Sequence, residues 1–481
     1  MVCESTSFPP DASRPPSGPL SKMLARIRVF AVAAAAALAL APVRVGAQAA
    51  ETYRAAAVRL IDAAMRDSAA WNRIAELTDT FGHRLSGSAS LERAIDWTLE
   101  RMRADGLENV RGEPVMVRHW ERGAESAELV TPRRKPLAML GLGGSVGTPA
   151  GGITAPVVVV TSFDDLAARG AAVKGKIVLF DAPFTEYEAT RVYRTRAASA
   201  AAKQGAVAAL IRSVATFSIN SPHTGSMGYD STVAARIPSA ALAIEDAMLL
   251  HRMQDRGQPV SVKLVMNARN FPDAPSRNVV AELRGREKPD EVVVIGGHID
   301  SWDVGQGAMD DAGGVVAAWE AVRLMKALGL RPRRTVRVVG WTNEENGVDG
   351  GKAYRATHAA DVDKHVFALE SDNGVFRPYG IAAVGSDSTL AMLRRIAPLL
   401  ARVGADSVMR GESEADVEPL LDAGVPVAGL HVDGTRYFWY HHTNADTPDK
   451  LDPRDVARCV AVFAVYAYVV AEMDGTLPRP R

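Results

Sequence analysis

Acidic and histidine side chains follow three short apolar runs of this sequence, and each run is typical of a buried strand. The runs cover residues 292–295, 335–340 and 366–369. The polar residues that come after them are His298 and Asp300, then Glu344 and Glu345, then Asp372. Because ligands of open α/β sheets bind beyond the carboxyl ends of the strands, we expect these side chains to line one crevice.

Two further groups of side chains have the same chemistry. They are Asp310-Asp311, at the expected start of a helix, and His441-His442, late in the chain. Imidazole and carboxylate are ligands of catalytic zinc, which keeps one position open for water. The candidate ligands are too many for one ion, and a carboxylate such as Asp310 could bridge two ions. In the pair Glu344-Glu345, one glutamate could then be a ligand and the other a base that takes a proton from water.

Each of these residues alone also has an ordinary structural interpretation. His298 could be a hydrogen-bonded buried histidine, Asp310-Asp311 a helix N-cap, and Glu344-Glu345 a solvated turn. Their occurrence together, at successive strand ends, favours a metal site over these alternatives.

The elements that must position these side chains fall into two patterns. After residue 278, strand-like runs alternate with amphipathic helices, one of them expected over 388–403, and residues 51–106 also have the apolar spacing of helices. This predicts an α/β fold with a mostly parallel mixed sheet covered by helices on both faces. Residues 121–268 instead alternate β-rich runs with glycine-rich turns. We therefore expect a separate β-rich domain there, without obvious chemistry of its own, that interrupts the catalytic domain.

Charge and cysteine content exclude several classes of protein. Lys and Arg total 56, and Asp and Glu total 56, so the formal net charge is zero. Such a balance gives no electrostatic footprint for nucleic acid, and we expect no nucleic-acid partner. The two cysteines, Cys3 and Cys459, allow no disulfide framework and no Cys-x-x-Cys motif. A metal site must therefore use histidine and carboxylate ligands.

The first 49 residues have the pattern of a targeting segment. A basic stretch precedes an apolar run over 29–41, and the small-residue motif Ala47-Gln48-Ala49 follows it. A secretory signal has this order of features, and the run is too short to span a bilayer easily. We predict an N-terminal extension and signal peptide over 1–49, with Met23 as the start. The mature protein would be exported, secreted or periplasmic, without a membrane span; an uncleaved anchor helix is the alternative.

The polar motifs resemble those of the dizinc aminopeptidase/glutamate carboxypeptidase family. The resemblance rests on Gly297-His298-x-Asp300, Gly307-Ala308-Met309-Asp310-Asp311, Glu344-Glu345, Glu370-Ser371-Asp372 and His442-Thr443. It covers nearly all of the mature chain and implies the dizinc exopeptidase fold. In one subgroup of the family a protease-associated domain interrupts the peptidase domain. The resemblance therefore implies a peptidase domain in two parts, 50–120 and 271–481, around an insert at 121–270.

The family pattern implies a metal ligand at each of five positions, for two zinc ions per subunit. His298 and Asp372 would hold one ion, Glu345 and His442 the other, and Asp310 would bridge them. His441 is the less favoured ligand, because the family's histidine directly precedes Thr or Ser, as His442 precedes Thr443.

The resemblance also implies roles around the metal ions. Glu344 would be the general base that activates a water bridging the two ions, and Asp300 would orient the ring of His298. A cis peptide bond would follow Asp310. Tyr437 or Tyr440 could stabilise the oxyanion, although aromatic packing is the ordinary interpretation of either.

These expectations describe a zinc-dependent exopeptidase that hydrolyses short peptides as a metallocarboxypeptidase or dipeptidase. An aminopeptidase with the same metal core is the alternative, and the sequence leaves open whether the pocket recognises an amine or a carboxylate. A non-catalytic receptor or binding protein on this scaffold is the alternative of another class. Loss of ligands would mark such a protein, whereas all five ligand positions and the base are present. The resemblance further suggests a homodimer.

Overall fold

Two eight-stranded β-sheets organise residues 51–480, the part of the chain that the computed structural model describes. The strands are β1 Glu108–Glu121, β2 Glu125–Thr131, β3 Lys135–Leu137, β4 Met139–Gly141, β5 Ile153–Val160, β6 Ile177–Phe180, β7 Ala208–Arg212, β8 Ser239–Leu242, β9 Ser261–Met266, β10 Arg269–Leu283, β11 Lys288–His298, β12 Arg334–Trp341, β13 His365–Glu370, β14 Pro378–Val384, β15 Ser407–Arg410 and β16 Val427–Val432. The helices are α1 over residues 51–66, α2 Ala69–Phe81, α3 Ala89–Ala104, α4 Phe163–Arg169, α5 Tyr187–Lys203, α6 Ile244–Asp255, α7 Gly313–Ala327, α8 Asp349–Thr357, α9 Asp387–Ile396, α10 Glu418–Asp422, α11 Tyr437–Tyr440 and α12 Pro453–Glu472. The leader predicted over 1–49 lies outside the described residues.

The first sheet has the strand order β1-β10-β12-β11-β13-β16-β14-β15. Its central strands β12, β11, β13 and β16 are parallel, while β10 and β14 run antiparallel to β12 and β16. On one face, Val292 and Val294 of β11 pack with Tyr354 of α8. On the opposite face, where α7 and α12 run along β11, Val293 and Ile295 are fully buried as well. This mixed sheet between helices confirms the predicted fold class.

The carboxyl ends of β11, β12 and β13 lie at the same edge of this sheet. His298 is in register with Trp341 of β12, and Gly296 is in register with Glu370 of β13. The polar residues that follow the three strands therefore start from neighbouring positions, as the sequence predicted.

A long antiparallel ribbon of β1 and β10 joins the first sheet to the second. The pairing runs from Glu108 opposite Glu282 to Glu121 opposite Arg269. In the chain, β1 leads into β2 of the second sheet, and β10 follows β9 of that sheet. The sequence did not predict β1, because Pro114 interrupts its pattern. The proline is accommodated because β1 is the outermost strand of the first sheet.

The second sheet has the strand order β3-β2-β9-β5-β6-β7-β8-β4, with β5 to β8 parallel. Alternate residues of its strands bury two apolar faces. Leu179 packs with Leu250 of α6 on one face, and Val178 packs with Ala197 and Ala201 of α5 on the other. The segment predicted to be rich in β-strands therefore forms a sheet with helices on both of its faces.

The helix predicted over 388–403 is divided in the structure. The α-helical part, α9, ends at Ile396, and Ala397–Val403 continues as a 3-10 helix. Pro398 causes the change, because it has no N–H to donate to the carbonyl of Arg394.

The last helix, α12, has 20 residues and is buried along most of its length. It packs against α7 and the first sheet. Neither this helix nor any other within residues 51–480 combines the length and the apolar character that a membrane crossing requires.

Candidate metal centre

The turn after β11 brings two aspartates against the end of the strand. Gly297 has no side chain, and a Cβ atom there would overlap the Asp311 carboxylate. Asp311 Oδ2 accepts a hydrogen bond from the main-chain N–H of His298 at 3.0 Å, and its Oδ1 accepts one from Gly314 at 2.9 Å. The peptide bond between Asp310 and Asp311 is cis, as the family resemblance implied. Asp311 therefore fixes the strand end and the start of α7, while Asp310 projects into the crevice.

His298 is fully buried and lies between two carboxylates. Its Nε2 is 3.1 Å from Asp310 Oδ1 and 3.0 Å from Asp372 Oδ1. Its Nδ1 is 3.0 Å from the main-chain oxygen of Asp300 and 3.6 Å from the nearer carboxylate oxygen of that residue. The orienting contact is thus made by the main chain of Asp300, which leaves Nε2 directed at the two aspartates.

The Asp300 carboxylate instead binds two other parts of the crevice. Oδ1 accepts a hydrogen bond from the main-chain N–H of Glu344 at 3.2 Å, and Oδ2 accepts one from the Ser86 hydroxyl at 3.2 Å. Asp300 therefore links the ends of β11 and β12 and the loop before α3.

A second histidine lies on the other side of Asp310. His442 Nε2 is 3.1 Å from Glu345 Oε2 and 3.4 Å from Asp310 Oδ2. His441 Nε2 is further away, 3.9 Å from the same aspartate oxygen, and its ring stacks on that of His442 with 3.5 Å between centroids. Asp310 thus directs one oxygen to each side, Oδ1 to His298 and Oδ2 to His442.

The donor set fits zinc by its chemistry and by its spacing. A tetrahedral zinc ion with ligands at about 2.0–2.2 Å places neighbouring donor atoms about 3.3 Å apart. The donor pairs described above are 3.0–3.4 Å apart, and Asp310 Oδ2 is buried without a hydrogen-bond partner. Three groups of potential ligand atoms lie within 4.8 Å of one another: Asp310, His441 and His442; His298, Asp310 and Glu345; and His298, Asp311 and Asp372.

Electrostatics in the crevice also favour cations. Burial, followed by the charge of Asp310, raises the pKa of Glu345 well above its usual range. Burial also raises the pKa of Asp310, against the opposing effect of His298. Within residues 51–480, neither Lys nor Arg forms an ion pair with Asp310, Glu345 or Asp372. These carboxylates are therefore packed together without a Lys or Arg to balance them, and His298, whose pKa is raised against burial by the charge of Asp372, is the cationic group nearest to them.

Glu344 lies beside this group and is half-buried. It lines a cavity of about 860 Å³ together with Asp310, Glu345, Asp372 and His442. Burial, followed by the charge of Asp372, raises the pKa of Glu344 well above its usual range. A carboxylate that faces the cavity and binds protons readily has the properties of a general base.

The 121–268 segment, in which the sequence showed no obvious chemistry, contributes side chains to this cavity. Helix α5 brings Tyr187 and Arg194 into the wall of the cavity. Arg194 Nη2 donates to the Tyr187 hydroxyl at 2.8 Å, and Nη1 lies 3.5 Å from His442 Nδ1. The Nε of this buried guanidinium has no hydrogen-bond partner, and no Asp or Glu of the described chain forms an ion pair with it. The sequence signal was an arginine within an alanine-rich helix, which is too common a pattern to reveal a site.

Two further polar residues that the sequence reasoning missed shape the chain around Asp310. Asp446 accepts hydrogen bonds from the main-chain N–H groups of Ala308 at 3.0 Å, Met309 at 2.8 Å and Asp310 at 3.3 Å. Burial and the nearby Asp310 raise the pKa of Asp446 to about 7. Arg84, fully buried, donates to the main-chain oxygen of Ile299 and to those of Gln306 and Gly307 in the loop between Asp300 and Asp310.

The two candidate oxyanion residues differ in position. The Tyr437 hydroxyl donates to the main-chain oxygen of Asp372 at 3.1 Å, and Tyr437 lines the cavity. Burial raises its pKa well above the usual range, so the hydroxyl keeps its proton. Tyr440 is not among the residues that line the cavity.

Imidazoles and carboxylates gathered around one aspartate, at the carboxyl edge of a mixed α/β sheet and beside a cavity, define a metallohydrolase site. Comparisons with known proteins identify the family. Residues 278–467 match the model of peptidase family M28. Carboxypeptidase Q of Mus musculus is 47% identical over 409 residues, which are 85% of this chain and 87% of that protein. The chain therefore belongs to peptidase family M28 and is a metallo-exopeptidase.

Solved structures agree with this assignment. A peptidase M28 precursor from Shewanella amazonensis SB2B has a TM-score of 0.86 at 36% identity, and the match covers 90% of this chain and 100% of that chain. A zinc aminopeptidase from Bacillus subtilis shares the fold, with a TM-score of 0.64 at 19% identity over 85% of this chain and 96% of that chain.

Proposed function

We propose that this protein is a zinc-dependent exopeptidase that hydrolyses short peptides as a carboxypeptidase or dipeptidase and holds two zinc ions. The observation that carries the proposal is the position of Asp310, whose two oxygens face two separate pairs of ligands. His298 and Asp372 would hold one ion, and Glu345 and His442 the other. Zinc held in these positions supplies Lewis acidity that polarises the peptide carbonyl and lowers the pKa of water.

Glu344 would carry the proton in this reaction. It takes a proton from the attacking water and delivers it to the nitrogen of the leaving amine. Its raised pKa supports this assignment, because the base must hold a proton between the two transfers. Asp300 would keep His298 and the backbone of Glu344 in place, through the contacts of its main chain and carboxylate. The Tyr437 hydroxyl is our candidate for stabilising the oxyanion.

Arg194 supports recognition of a substrate carboxylate. Its guanidinium is buried in the cavity wall, next to His442, without an acidic partner in the described chain. Burial of an unpaired charge is unfavourable, and a carboxylate of the substrate would compensate for it with charge-assisted hydrogen bonds. This favours a peptide with a free C-terminus, in agreement with the name of the mouse relative.

Glu414 supports a requirement for a free amine in addition. It lines the same cavity, and its carboxylate accepts a hydrogen bond from the Asn373 amide at 2.8 Å. Burial and the charge of Asp372 raise its pKa to about 8, so a bound ammonium group would stabilise its ionised form. A substrate held at both ends would make the protein a dipeptidase, and one held by the amine alone would make it an aminopeptidase.

A panel of dipeptides blocked at one end tests these alternatives. We expect amidation of the carboxyl end to reduce kcat/KM strongly, because Arg194 would lose its partner. Cleavage of peptides acetylated at the amine would then indicate a carboxypeptidase, and a requirement for both free ends would indicate a dipeptidase. Rapid cleavage of amidated peptides, with no cleavage of acetylated ones, would contradict carboxylate recognition and leave the aminopeptidase.

Three sequence predictions also stand as proposals. Residues 121–270 would be a protease-associated domain inserted in the peptidase domain, residues 1–49 would direct export to a secreted or periplasmic location, and two chains would form a homodimer. Light scattering on the purified mature chain would test the dimer, because a mass equal to a single chain would contradict it.

A further inference from the structure

Arg122, between β1 and β2, is buried at the junction of the two sheets, with its side chain 10% exposed. Its guanidinium forms a bidentate pair with Asp303, with Nε 2.9 Å from Oδ2 and Nη2 2.5 Å from Oδ1. Nη2 also donates to the Thr224 hydroxyl at 3.2 Å. One side chain thus binds two segments, the loop after β11 and the loop before β8, that both lead to the metal centre.

The first of these connections leads to His442. The main-chain N–H of Thr224 donates to the main-chain oxygen of His442 at 3.0 Å, and the Thr224 oxygen is 3.3 Å from His442 Nδ1. With Nε2 as a metal ligand, Nδ1 would carry the ring proton, and the Thr224 carbonyl is in position to accept it. The Thr224 hydroxyl, which Arg122 contacts, itself donates to the Gly141 main-chain oxygen of β4 at 2.7 Å.

The second connection leads to Glu345. Asp303 directly follows Trp302, whose main-chain N–H donates to Glu345 Oε1 at 3.0 Å. This hydrogen bond leaves Oε2 of the same carboxylate directed at His442. Arg122, by holding Asp303, therefore fixes the residue next to Trp302, whose N–H orients Glu345.

The other pair of ligands is held by different groups. His298 Nδ1 contacts the main-chain oxygen of Asp300, and the backbone of Asp372 accepts from Tyr437. Neither of these supporting groups hydrogen bonds with Arg122. Arg122 therefore hydrogen bonds with groups that support the Glu345 and His442 side, and with neither of the groups that directly contact His298 and Asp372.

We propose that Arg122 is a positioning residue for one zinc ion only, the ion at Glu345 and His442. This inference rests on the proposed two-zinc function. Groups that orient metal ligands typically contribute 10- to 100-fold to metal affinity. Loss of Arg122 should therefore make one ion labile and leave the ion at His298 and Asp372 tightly bound.

Zinc release from the holoenzyme into a chromogenic chelator, at increasing chelator concentration, tests the proposal. The wild-type chain should release two ions per chain. In Arg122→Met, one ion should leave at about 10- to 100-fold lower chelator concentration, and Arg122→Lys should restore part of the difference. If Arg122→Met fails to fold, Asp303→Asn is the alternative variant, because asparagine has nearly the same shape as aspartate. It should lower the chelator concentration that releases the same ion.

Two controls identify the effect. Arg134→Met removes an exposed arginine that pairs with Glu128 of β2, and it should leave both release steps unchanged. His442→Ala should remove the step that Arg122→Met weakens, which assigns that step to the Glu345 side. Replacement of zinc by cobalt gives a second readout. In Arg122→Met, the absorption bands of the cobalt ion at Glu345 and His442 should change, and those of the other ion should not.

The outcomes separate this inference from the function on which it rests. Two ions released as in the wild type, or two ions weakened equally, would overturn the positioning role while leaving the two-zinc function intact. A wild-type holoenzyme that releases only one ion per chain would overturn the two-zinc function and this inference with it.

Discussion

The metal centre and a second buried polar group, here named the distal cluster, are built from similar residues in opposite ways. The distal cluster consists of Glu113, Glu282, Arg337, Tyr354 and His358. Arg337 Nε is 2.8 Å from Glu282 Oε1, and its Nη1 donates to the Tyr354 hydroxyl at 2.8 Å. Glu113 Oε1 lies 3.3 Å from His358 Nε2. Each buried carboxylate there has a cationic or hydrogen-bonding partner within the protein.

The pKa directions express the same difference. Burial raises the pKa of Glu113, but His358 and Arg111 outweigh that effect and lower it below the usual value. In the metal centre, burial and neighbouring carboxylates raise the pKa of Glu345 instead. The carboxylates of the distal cluster are thus paired within the protein, whereas those of the candidate metal centre have no Lys or Arg partner, as expected of a site that binds metal cations.

The largest expected effect on catalysis is that of Glu344→Gln. The amide cannot accept the proton of water, so kcat should fall about 10²- to 10⁴-fold. The zinc content should stay at the wild-type value, because Glu344 is not one of the proposed ligands. Steady-state kinetics and metal analysis measure the two effects, and Glu418→Gln, at an exposed position of α10, is the matched control. Loss of zinc, or retained activity, would contradict the assignment of the base.

In the distal cluster, Arg337→Met should affect stability instead of catalysis. It removes the nearest cation from the buried Glu282, which keeps a hydrogen bond from Asn109 at 2.6 Å and the more distant Arg111 at 3.7 Å. The free energy of unfolding should fall by up to about 3–5 kcal/mol. Denaturant unfolding measures this loss. Activity and zinc content, measured well below the melting temperature, should match the wild type. A large decrease in kcat for the folded variant would show that the two groups are coupled and would break the comparison.

Arg194→Met should have a smaller effect than Arg337→Met, and it should affect catalysis instead of stability. Charge-assisted hydrogen bonds contribute about 1.5–3 kcal/mol each, so kcat/KM for peptides with a free carboxylate should fall about 10- to 100-fold. Peptides with an amidated C-terminus should be cleaved as the wild type cleaves them. Stability should change little, because Arg194 has no acidic partner to leave unpaired in the described chain. Equal losses for free and amidated peptides would contradict carboxylate recognition.

The smallest expected effect is in the pH dependence of stability. The pKa values of Asp446 and Glu414 are raised to about 7 and about 8 by burial and by neighbouring carboxylates. A carboxyl group whose pKa is higher in the folded state stabilises the fold while protonated, and this stabilisation is lost as pH rises. His441 and His442, whose pKa values are lowered by burial, act in the opposite direction, mainly below about pH 7. The pKa of His298 is raised against burial by the charge of Asp372, so His298 acts in the same direction as the carboxyl groups.

The metal-free chain should therefore lose stability on the order of 1–2 kcal/mol between pH 6.5 and 8. The zinc-loaded chain should lose less, because bound cations balance the ionised carboxylates. Melting temperatures with and without chelator measure both curves. A metal-free chain that becomes more stable over this pH interval would contradict the electrostatic account of the centre.

The sequence predicted the parts of the site that belong to short local patterns. His298, Glu344 and Asp372 follow apolar runs, and the parallel order of these strands places their ends at one edge. Asp310 could be found because its motif is continuous with a helix start. The ends of strands are encoded locally, so these candidate site residues are visible without a structure.

The residues that support the ligands were not predictable in this way. Asp446 is 136 positions from Asp310, and Thr224 is 218 positions from His442. Arg122 and Arg194 come from a segment whose strands and turns carry no motif. Their roles depend on how the second sheet packs against the first, and this packing leaves no periodic signal in the sequence.

Anomalous diffraction at the zinc absorption edge, from crystals of the holoenzyme, tests the central claim most directly. We expect two peaks about 3.5–4 Å apart, one beside His298 and Asp372 and the other beside Glu345 and His442, with Asp310 in contact with both. No peak should lie in the distal cluster. A single peak, or peaks away from Asp310, would contradict the conclusion that this group of unbalanced carboxylates is a two-zinc centre.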